Sequence, residues 1–230
     1  MTFARQIPLP FDPRPALGGE DFLVAPSNAG AVAWVERWPD WPSPGLVIVG
    51  DAGAGKTHLC HVFQALSGAR PVTPETLGVQ HADGVLDGAG ALALDDAEGF
   101  LAAGLAEELL HLYNLAREGD VKFLLSAKAP PARWRVDLKD LSSRLNTLPV
   151  AEIDPPDDVL LTALIVKQFG DRQLAVDPDV LSYMLARMER TFAGVRDLIR
   201  AVDELALAEK RAVTKALVRR VLEGGDAAAP

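Results

Sequence analysis

The sequence predicts an α/β fold in which helices flank a parallel sheet, followed by a small domain made only of helices. Two apolar runs, residues 46–49 and 91–94, do not alternate with polar residues, which is typical of strands buried on both faces of a parallel sheet. Beyond Asp154-Pro155-Pro156, apolar residues recur only at helical spacing. The alternation of strands and helices therefore ends near residue 155.

These changes of pattern divide the chain into successive segments. Residues 1–19 hold four of the seventeen prolines and show no helical or strand period, which predicts an extended arm. We expect an α/β subdomain over residues 20–155, a helical subdomain over 156–225 and a short tail over 226–230.

Composition narrows the class of protein. At 230 residues and 49% hydrophobic composition, the chain can bury the core of one large domain or of a medium domain and a small one. A net charge of -9 argues against a protein whose whole surface binds nucleic acid. No apolar run approaches the ~20 residues of a membrane span, and no signal peptide is evident, so we expect a cytoplasmic protein without membrane contact. One cysteine and four scattered histidines predict neither an internal disulfide nor a metal cluster.

The first elements follow from local signals. A helix is expected over residues 29–37, with Ser27 or Asn28 as its N-cap. A short strand near residues 71–73 precedes a helical turn that opens at Pro74.

The later elements follow in the same way. Residues 104–118 carry leucines at helical spacing, which predicts an amphipathic helix. The α/β part then continues with a strand over 121–126, a short helix over 140–145 and a last strand over 150–153. In the helical part, Asp177-Pro178 predicts a helix start, and Thr214 caps a last short helix ending at Gly224.

A glycine-rich loop comes directly after the first apolar run. Its residues are Gly50, Asp51, Ala52, Gly53, Ala54, Gly55, Lys56 and Thr57, and a helix-like stretch begins at His58. A strand, this loop and a helix in succession predict a phosphate-binding loop, because the glycines let successive N–H groups surround a polyphosphate. Lys56 would reach the β- and γ-phosphates, and the Thr57 hydroxyl would hold Mg²⁺.

Paired carboxylates follow the second apolar run. Asp95 and Asp96 stand where a buried strand ends, and unpaired carboxylates are costly to bury there without a counter-ion. We expect Asp95 to coordinate Mg²⁺ and Asp96 to polarise the attacking water. The alternative is a solvated turn.

The proline-rich arm contains Gln6-Ile7-Pro8-Leu9-Pro10-Phe11. A polar anchor followed by apolar side chains on a stiff backbone is typical of a peptide that docks in hydrophobic pockets of a partner. The candidate contacts are Gln6, Ile7, Leu9, Pro10 and Phe11. A solvated tail is the alternative.

Three apolar residues, Phe22, Leu23 and Val24, lie upstream of the glycine-rich loop. They either form a wall of a pocket for the nucleotide base or belong to the core.

The order of these features resembles the AAA+ ATPase module. More closely, four stretches are similar to the family of the bacterial initiator DnaA: Gly-Lys-Thr-His-Leu after the glycines, Phe-Leu-Val-x-x-Ser-Asn upstream, Leu-Ser-Ser-Arg-Leu, and Gly-Val-Arg-Asp-Leu in what would be the lid. The resemblance covers Phe22 to about Glu223. The arm is similar to the sliding-clamp-binding peptide Gln-Leu-x-Leu-Pro-Leu. The helix-turn-helix domain of DnaA has no counterpart in this sequence, so no sequence-specific DNA-binding domain is expected.

The resemblance implies roles for particular residues. Lys56 and Thr57 match the Walker A pair, and Asp95 and Asp96 match Walker B, which implies binding of ADP or ATP with Mg²⁺. Arg144 matches the arginine finger that acts in trans on a nucleotide held by a neighbouring subunit, with an ion pair to Asp140 or Glu152 as the structural alternative. Arg196 matches the sensor arginine of the lid.

One stretch departs from the family pattern. The polar Thr/Ser-Asp turn after the third strand appears as Ser126-Ala127-Lys128, so a basic residue replaces an acidic one. Weak intrinsic ATPase activity is therefore expected.

The resemblance also implies a function and partners. It implies a regulatory protein that binds adenine nucleotide, docks on the sliding clamp and stimulates ATP hydrolysis by DnaA, which prevents re-initiation of replication. The alternatives are an adaptor or helicase loader and an independent ATPase. Assembly into a homo-oligomer stays open.

Overall fold

The computed structural model describes residues 24–226, which form two compact units, residues 24–154 and residues 155–226. The arm, including Gln6 to Phe11, and residues Phe22 and Leu23 lie outside the described residues. The predictions for them therefore stay predictions.

The first unit contains a five-stranded parallel sheet in the order β2-β3-β4-β1-β5. Its strands are β1 (Gly45–Val49), β2 (Arg70–Val72), β3 (Ala91–Leu94), β4 (Lys122–Ala127) and β5 (Val150–Glu152). Because β1 pairs with both β4 and β5, the loop after β1 lies between these two strands at the carboxyl edge of the sheet. Open α/β sheets bind their ligands at such an edge. The predicted parallel sheet is confirmed.

Both faces of the sheet are covered, as the apolar runs predicted. Side chains alternate along a strand, so β1 contributes Val47 and Val49 to one hydrophobic core and Leu46 and Ile48 to the other. Leu46, Val47 and Ile48 are completely buried. Burying each such side chain contributes about 1.5–3 kcal/mol relative to leaving it exposed. This double burial explains why the strand sequence shows no alternation.

Six α-helices cover the sheet within the described part of this unit. They are α1 (Ala29–Glu36), α2 (Lys56–Ser67), α3 (Pro74–Leu86), α4 (Ala97–Ala102), α5 (Ala106–Glu118) and α6 (Lys139–Leu145). The prediction of one helix over residues 104–118 is wrong at its start, because Gly104 adopts a left-handed φ of 77° between α4 and α5. The helix α4 was not predicted.

Asn28 is the N-cap residue of α1, one of the two residues predicted for that position. Asn28 precedes the helix but makes no capping hydrogen bond. Its Oδ1 instead accepts the backbone N–H of Ala25 at 2.8 Å, which closes the turn before the helix.

The second unit consists of α7 (Asp158–Asp171), α8 (Pro178–Leu185), α9 (Phe192–Glu209) and α10 (Lys215–Asp226). Polar side chains start three of these helices: Asp157 accepts from Leu160 N, Thr191 from Gly194 N and Thr214 from Leu217 N. The predicted Thr214 cap is confirmed, although α10 continues beyond Gly224 to Asp226. The four helices surround one apolar core that includes Phe169, Met184 and Ile199.

Between Val24 and Asp226, no helix is long and apolar enough to cross a membrane.

Candidate functional site

The glycine-rich loop turns β1 into α2 as predicted. Gly53 and Gly55 have φ values of 75° and 96°, in the left-handed region that favours glycine. Between them, Ala54 is buried in the core below the loop. One small side chain thus anchors the loop while its backbone stays at the surface.

The end of this loop is the N-terminus of α2. Gly55 is the N-cap and has no side chain that could accept a helix N–H group. The first-turn N–H groups and the positive end of the helix dipole therefore favour an anion at this point. His58 lies in the same turn and is half-buried.

Lys56 places an ammonium group over the loop. Its Nζ donates to the carbonyl oxygens of Gly50 at 2.7 Å and Asp51 at 2.8 Å. Partial burial lowers the pKa of Lys56, and the positive charge of Lys128 lowers it further, against the opposite effect of Asp95 and Glu98. A nearby anion would stabilise the charged form of Lys56. The loop and Lys56 therefore fit a polyphosphate.

This pKa shift predicts a pH dependence of nucleotide affinity. Bound phosphate raises the pKa of Lys56, so binding takes up a proton once Lys56 begins to lose its own. Affinity for ADP should therefore fall as pH rises, and the fall should begin below the ordinary lysine value of 10.5. Calorimetric titrations in two buffers with different ionisation heats would show proton uptake at alkaline pH. Binding without proton uptake would contradict the prediction.

Asp95 joins three elements at the carboxyl edge. Its Oδ2 accepts the Thr57 hydroxyl at 2.7 Å, and its Oδ1 accepts the hydroxyl of the buried Ser126 at the end of β4. The Cys60 thiol lies 3.9 Å from the same Oδ1. Burial and the nearby negative charge of Asp95 raise the pKa of Cys60, so this thiol stays neutral and unreactive.

The structure brings together the two predicted Mg²⁺ ligands, Thr57 and Asp95. Hydroxyl and carboxylate oxygens are the donors that Mg²⁺ prefers, and it commonly takes one or two protein ligands with substrate phosphates and water. Within residues 24–226, no group of three or more His, Cys, Asp or Glu could hold a metal. The Thr57 hydroxyl and the Asp95 carboxylate together fit a metal that is shared with a bound polyphosphate.

Asp96 has an unusual backbone. It adopts a left-handed conformation with φ of 63° and ψ of 68°, and its N–H donates to Ser126 Oγ at 2.9 Å. A Cβ on Gly99 would lie 2.9 Å from Asp96 Oδ2, so a larger residue at position 99 would displace this carboxylate. Such backbone conformations cost about 1–3 kcal/mol each, and they are common at functional sites. Asp96 is exposed and can contact a ligand or water.

Several of these contacts were missed from the sequence. They are the hydrogen bonds of Ser126 to the Asp95-Asp96 turn, the proximity of Cys60 and the closeness of Gly99 to the Asp96 carboxylate. All depend on the parallel pairing of strands and on α4. One signal was available, since Cys60 lies three residues after Thr57 and so on the same side of α2.

Arg144 lies in the last turn of α6, apart from the contacts described so far. Its guanidinium makes paired hydrogen bonds with Asp140, at 3.1 and 3.2 Å, and stands 5.7 Å from the centre of the Tyr113 ring. The anticipated ion pair with Asp140 is therefore present. Both side chains of this pair are partly exposed.

Arg196 belongs to the second unit, on α9. Its side chain is 66% exposed, and the nearest acidic group is Asp197, at 3.5 Å. The role of Arg196 as a lid sensor stays a prediction. Val24, the described member of the predicted base-pocket trio, packs against the core that contains Ala54.

Comparisons with known proteins find similarity to replication initiators of the DnaA family. Residues 158–222 match the family model described as Hda, lid domain. The chromosomal replication initiator protein DnaA of Thermomicrobium roseum is 28% identical over 239 residues, which cover 91% of this chain and 50% of the relative. The chain thus spans about half the length of this curated relative.

Solved structures establish the fold. Domain III of the Thermotoga maritima replication initiation protein DnaA superimposes with a TM-score of 0.75 at 20% identity, covering 93% of this chain and 98% of that one. AMPPCP-bound DnaA from Aquifex aeolicus gives a TM-score of 0.71 at 17% identity, covering 93% and 71%.

The parallel sheet, its glycine-rich loop and the helical lid define an AAA+ protein. The matches to DnaA and to the Hda lid support a DnaA-related AAA+ protein of the Hda type. The resemblance predicted from the sequence is confirmed at this level.

Proposed function

We propose that this protein is a cytoplasmic regulator of replication initiation that binds ADP or ATP, docks on the sliding clamp and stimulates ATP hydrolysis by DnaA. One observation carries the proposal: in a DnaA-related fold, Lys56 and the Thr57–Asp95 contact stand at the mouth of a glycine-rich loop. A cation, a pair of Mg²⁺ ligands and a glycine-rich loop at one edge of the sheet together suit the binding of a nucleotide.

The nucleotide would be held by groups already in place. The α2 N-terminus and Lys56 would bind its phosphates, and Thr57 with Asp95 would hold Mg²⁺, which supplies charge neutralisation when bound. Asp96 would accept a hydrogen bond from water. The Aquifex relative bears AMPPCP, an adenine nucleotide analogue, which supports this assignment.

Arg144 would act on a nucleotide held by DnaA. An arginine supplied from a neighbouring subunit stabilises charge that develops during phosphoryl transfer, so hydrolysis becomes conditional on assembly. Arg144 is partly exposed, and its ion pair with Asp140 could be replaced by contacts with another molecule. Both features support a role in trans.

The arm would supply the clamp contact through Gln6, Ile7, Leu9, Pro10 and Phe11. This part of the proposal depends on the similarity of the peptide to clamp-binding sequences and on the match to the Hda lid.

The test measures ATP hydrolysis by DnaA with and without loaded clamp, in the presence of the wild-type chain or of a variant with Gln6, Leu9 and Phe11 replaced by alanine. We expect stimulation only with loaded clamp, and loss of stimulation and of clamp binding in the triple variant, because anchor side chains dominate peptide binding. Thermal stability should stay unchanged.

Three outcomes would contradict the proposal. Equal stimulation by the triple variant would show that the arm is not the docking element. Clamp binding without any stimulation of DnaA would favour an adaptor, whereas rapid hydrolysis by the purified chain alone would favour an independent ATPase.

A further inference from the structure

The last part of the second unit carries a run of positive charge. Between positions 210 and 222 the sequence has five basic residues and no acidic one, although the chain as a whole has 23 basic and 32 acidic residues. Charge that is concentrated in one segment of an oppositely charged protein indicates a surface for a charged partner. All five side chains are exposed: Lys210, Arg211, Lys215, Arg219 and Arg220.

The helix α10 directs three of these side chains toward solvent. Leu217 and Val218 are buried in the core of the unit, so the opposite side of the helix is exposed. Lys215 and Arg219 are four positions apart and therefore lie one turn apart on the same side of α10. Arg220 follows Arg219 directly.

Glu209, near the end of α9, links the helix to the loop that precedes it. Its Oε1 lies 2.7 Å from Nη2 of Arg220, and its Oε2 lies 3.7 Å from Nη1 of Arg211. The two arginines thus stand on either side of one carboxylate, although one is in the loop and the other in α10. The fold therefore gathers the five basic residues, which we call the lid basic surface.

Few carboxylates accompany this surface. Besides the one just described, Asp179 lies 3.0 Å from Lys215, and Glu223 lies 3.3 Å from Arg219. Lys210 forms no ion pair within the described part of the unit, so positive charge is in excess. Exposed ion pairs are weak, and an arginine has five N–H donors, so these side chains can bind a phosphate group as well.

The residues between the cations are small. Ala212, Thr214 and Ala216 are exposed, and no large apolar side chain is exposed among residues 210–222. Protein interfaces have an apolar or aromatic centre, whereas contacts with a nucleic acid backbone come mostly from basic and small polar side chains. Basic groups spread along a loop and a helix also suit a row of phosphates better than one small anion. The lid basic surface therefore fits a nucleic acid backbone.

We propose that the lid basic surface binds the phosphate backbone of duplex DNA without reading its sequence. The choice of DNA among polyanions rests on the proposed function, in which the chain docks on a clamp that is loaded on DNA. A weak DNA contact and clamp docking would each raise the effective concentration for the other. The chain would then bind loaded clamp more tightly than free clamp.

The test measures binding of the full chain to a labelled DNA duplex by fluorescence anisotropy over a series of salt concentrations, without clamp or nucleotide. The wild type should bind two unrelated sequences equally, with a dissociation constant of about 10⁻⁴–10⁻⁶ M at physiological salt. Replacing Arg211, Lys215 and Arg219 with glutamine should lower the affinity at least about tenfold at low salt. The slope of log affinity against log salt should fall by about three, because each lost phosphate contact removes about 0.9.

A matched variant separates the effect of the surface from that of net charge. Replacing Arg117, Arg133 and Lys139 with glutamine removes the same number of charges from exposed positions in the first unit, and should leave affinity and salt slope unchanged. Arg211→Gln alone, in the loop outside the helices, should reduce the slope by about one. This single variant decides the test if thermal melting shows that the first triple variant is unstable.

Three results would overturn the inference. They are the absence of DNA binding by the wild type, equal losses of affinity in the two triple variants, and displacement of DNA by polyglutamate at equal charge concentration. The last result would indicate an acidic protein as the partner.

Failure of this inference can be distinguished from failure of the proposed function. The DNA assay contains neither clamp nor DnaA, and both triple variants should bind free clamp like the wild type. If they do and DNA binding is absent, only the role of the lid basic surface is wrong. If the arm variant binds DNA normally and still docks on the clamp, the clamp part of the proposed function is wrong instead.

Discussion

Arg144→Ala should lower the stimulation of DnaA ATP hydrolysis by about 10³-fold or more, the usual effect of removing an arginine finger. Nucleotide binding and clamp binding by the chain itself should be unchanged, because the contacts of Arg144 are with Asp140 and Tyr113 and not with the glycine-rich loop. The measurement is the rate of ATP hydrolysis by DnaA on loaded clamp.

The ion pair with Asp140 supplies a matched control. Exposed pairs of this kind contribute about 0.3–0.5 kcal/mol to stability, so either partner can be removed without unfolding the protein. Asp140→Ala removes the same pair but keeps the guanidinium, and it should stimulate DnaA at least as well as the wild type. Arg144→Lys should recover little, because lysine lacks the planar, bidentate geometry of arginine.

A purely structural role for Arg144 makes the opposite prediction. Both Arg144→Ala and Asp140→Ala would then lose a similar small amount of stability, and both would stimulate DnaA normally. An Arg144→Ala protein that inactivates DnaA at the wild-type rate would exclude the role in trans.

Lys56→Ala should weaken ADP and ATP binding by at least about 100-fold while the fold stays intact. The expected loss corresponds to two or more charge-assisted hydrogen bonds to phosphate oxygens. Within residues 24–226, the hydrogen bonds of Lys56 Nζ are to the backbone carbonyl oxygens of Gly50 and Asp51. Their loss should therefore leave the fold intact. Nucleotide titrations and thermal melting would measure the two effects separately.

The control for this variant is Lys139→Ala, which makes the same change in net charge at an exposed site. It should bind nucleotide like the wild type. Unchanged ADP affinity in Lys56→Ala would rule out the phosphate-binding assignment of the loop.

Some of this architecture was determined by the sequence alone. Strands buried on both faces need continuous apolar runs, and a loop with left-handed backbone needs glycines at Gly53 and Gly55. Both requirements concern residues that are neighbours in the chain, so they can be recognised directly in the sequence. The parallel sheet, the loop and the helical lid could therefore be predicted from the order of the residues.

Other features were decided only by the tertiary structure. Ser126 contacts Asp95 from 31 positions away, and Glu98 holds the N–H of Lys128 from 30 positions away, because parallel pairing and α4 bring these segments to one edge. The short α4 likewise packs against β4, and the left-handed Asp96 donates its N–H to Ser126 of that strand. The helix and strand propensities of single residues do not predict such contacts, because the interacting groups meet only when the chain is folded.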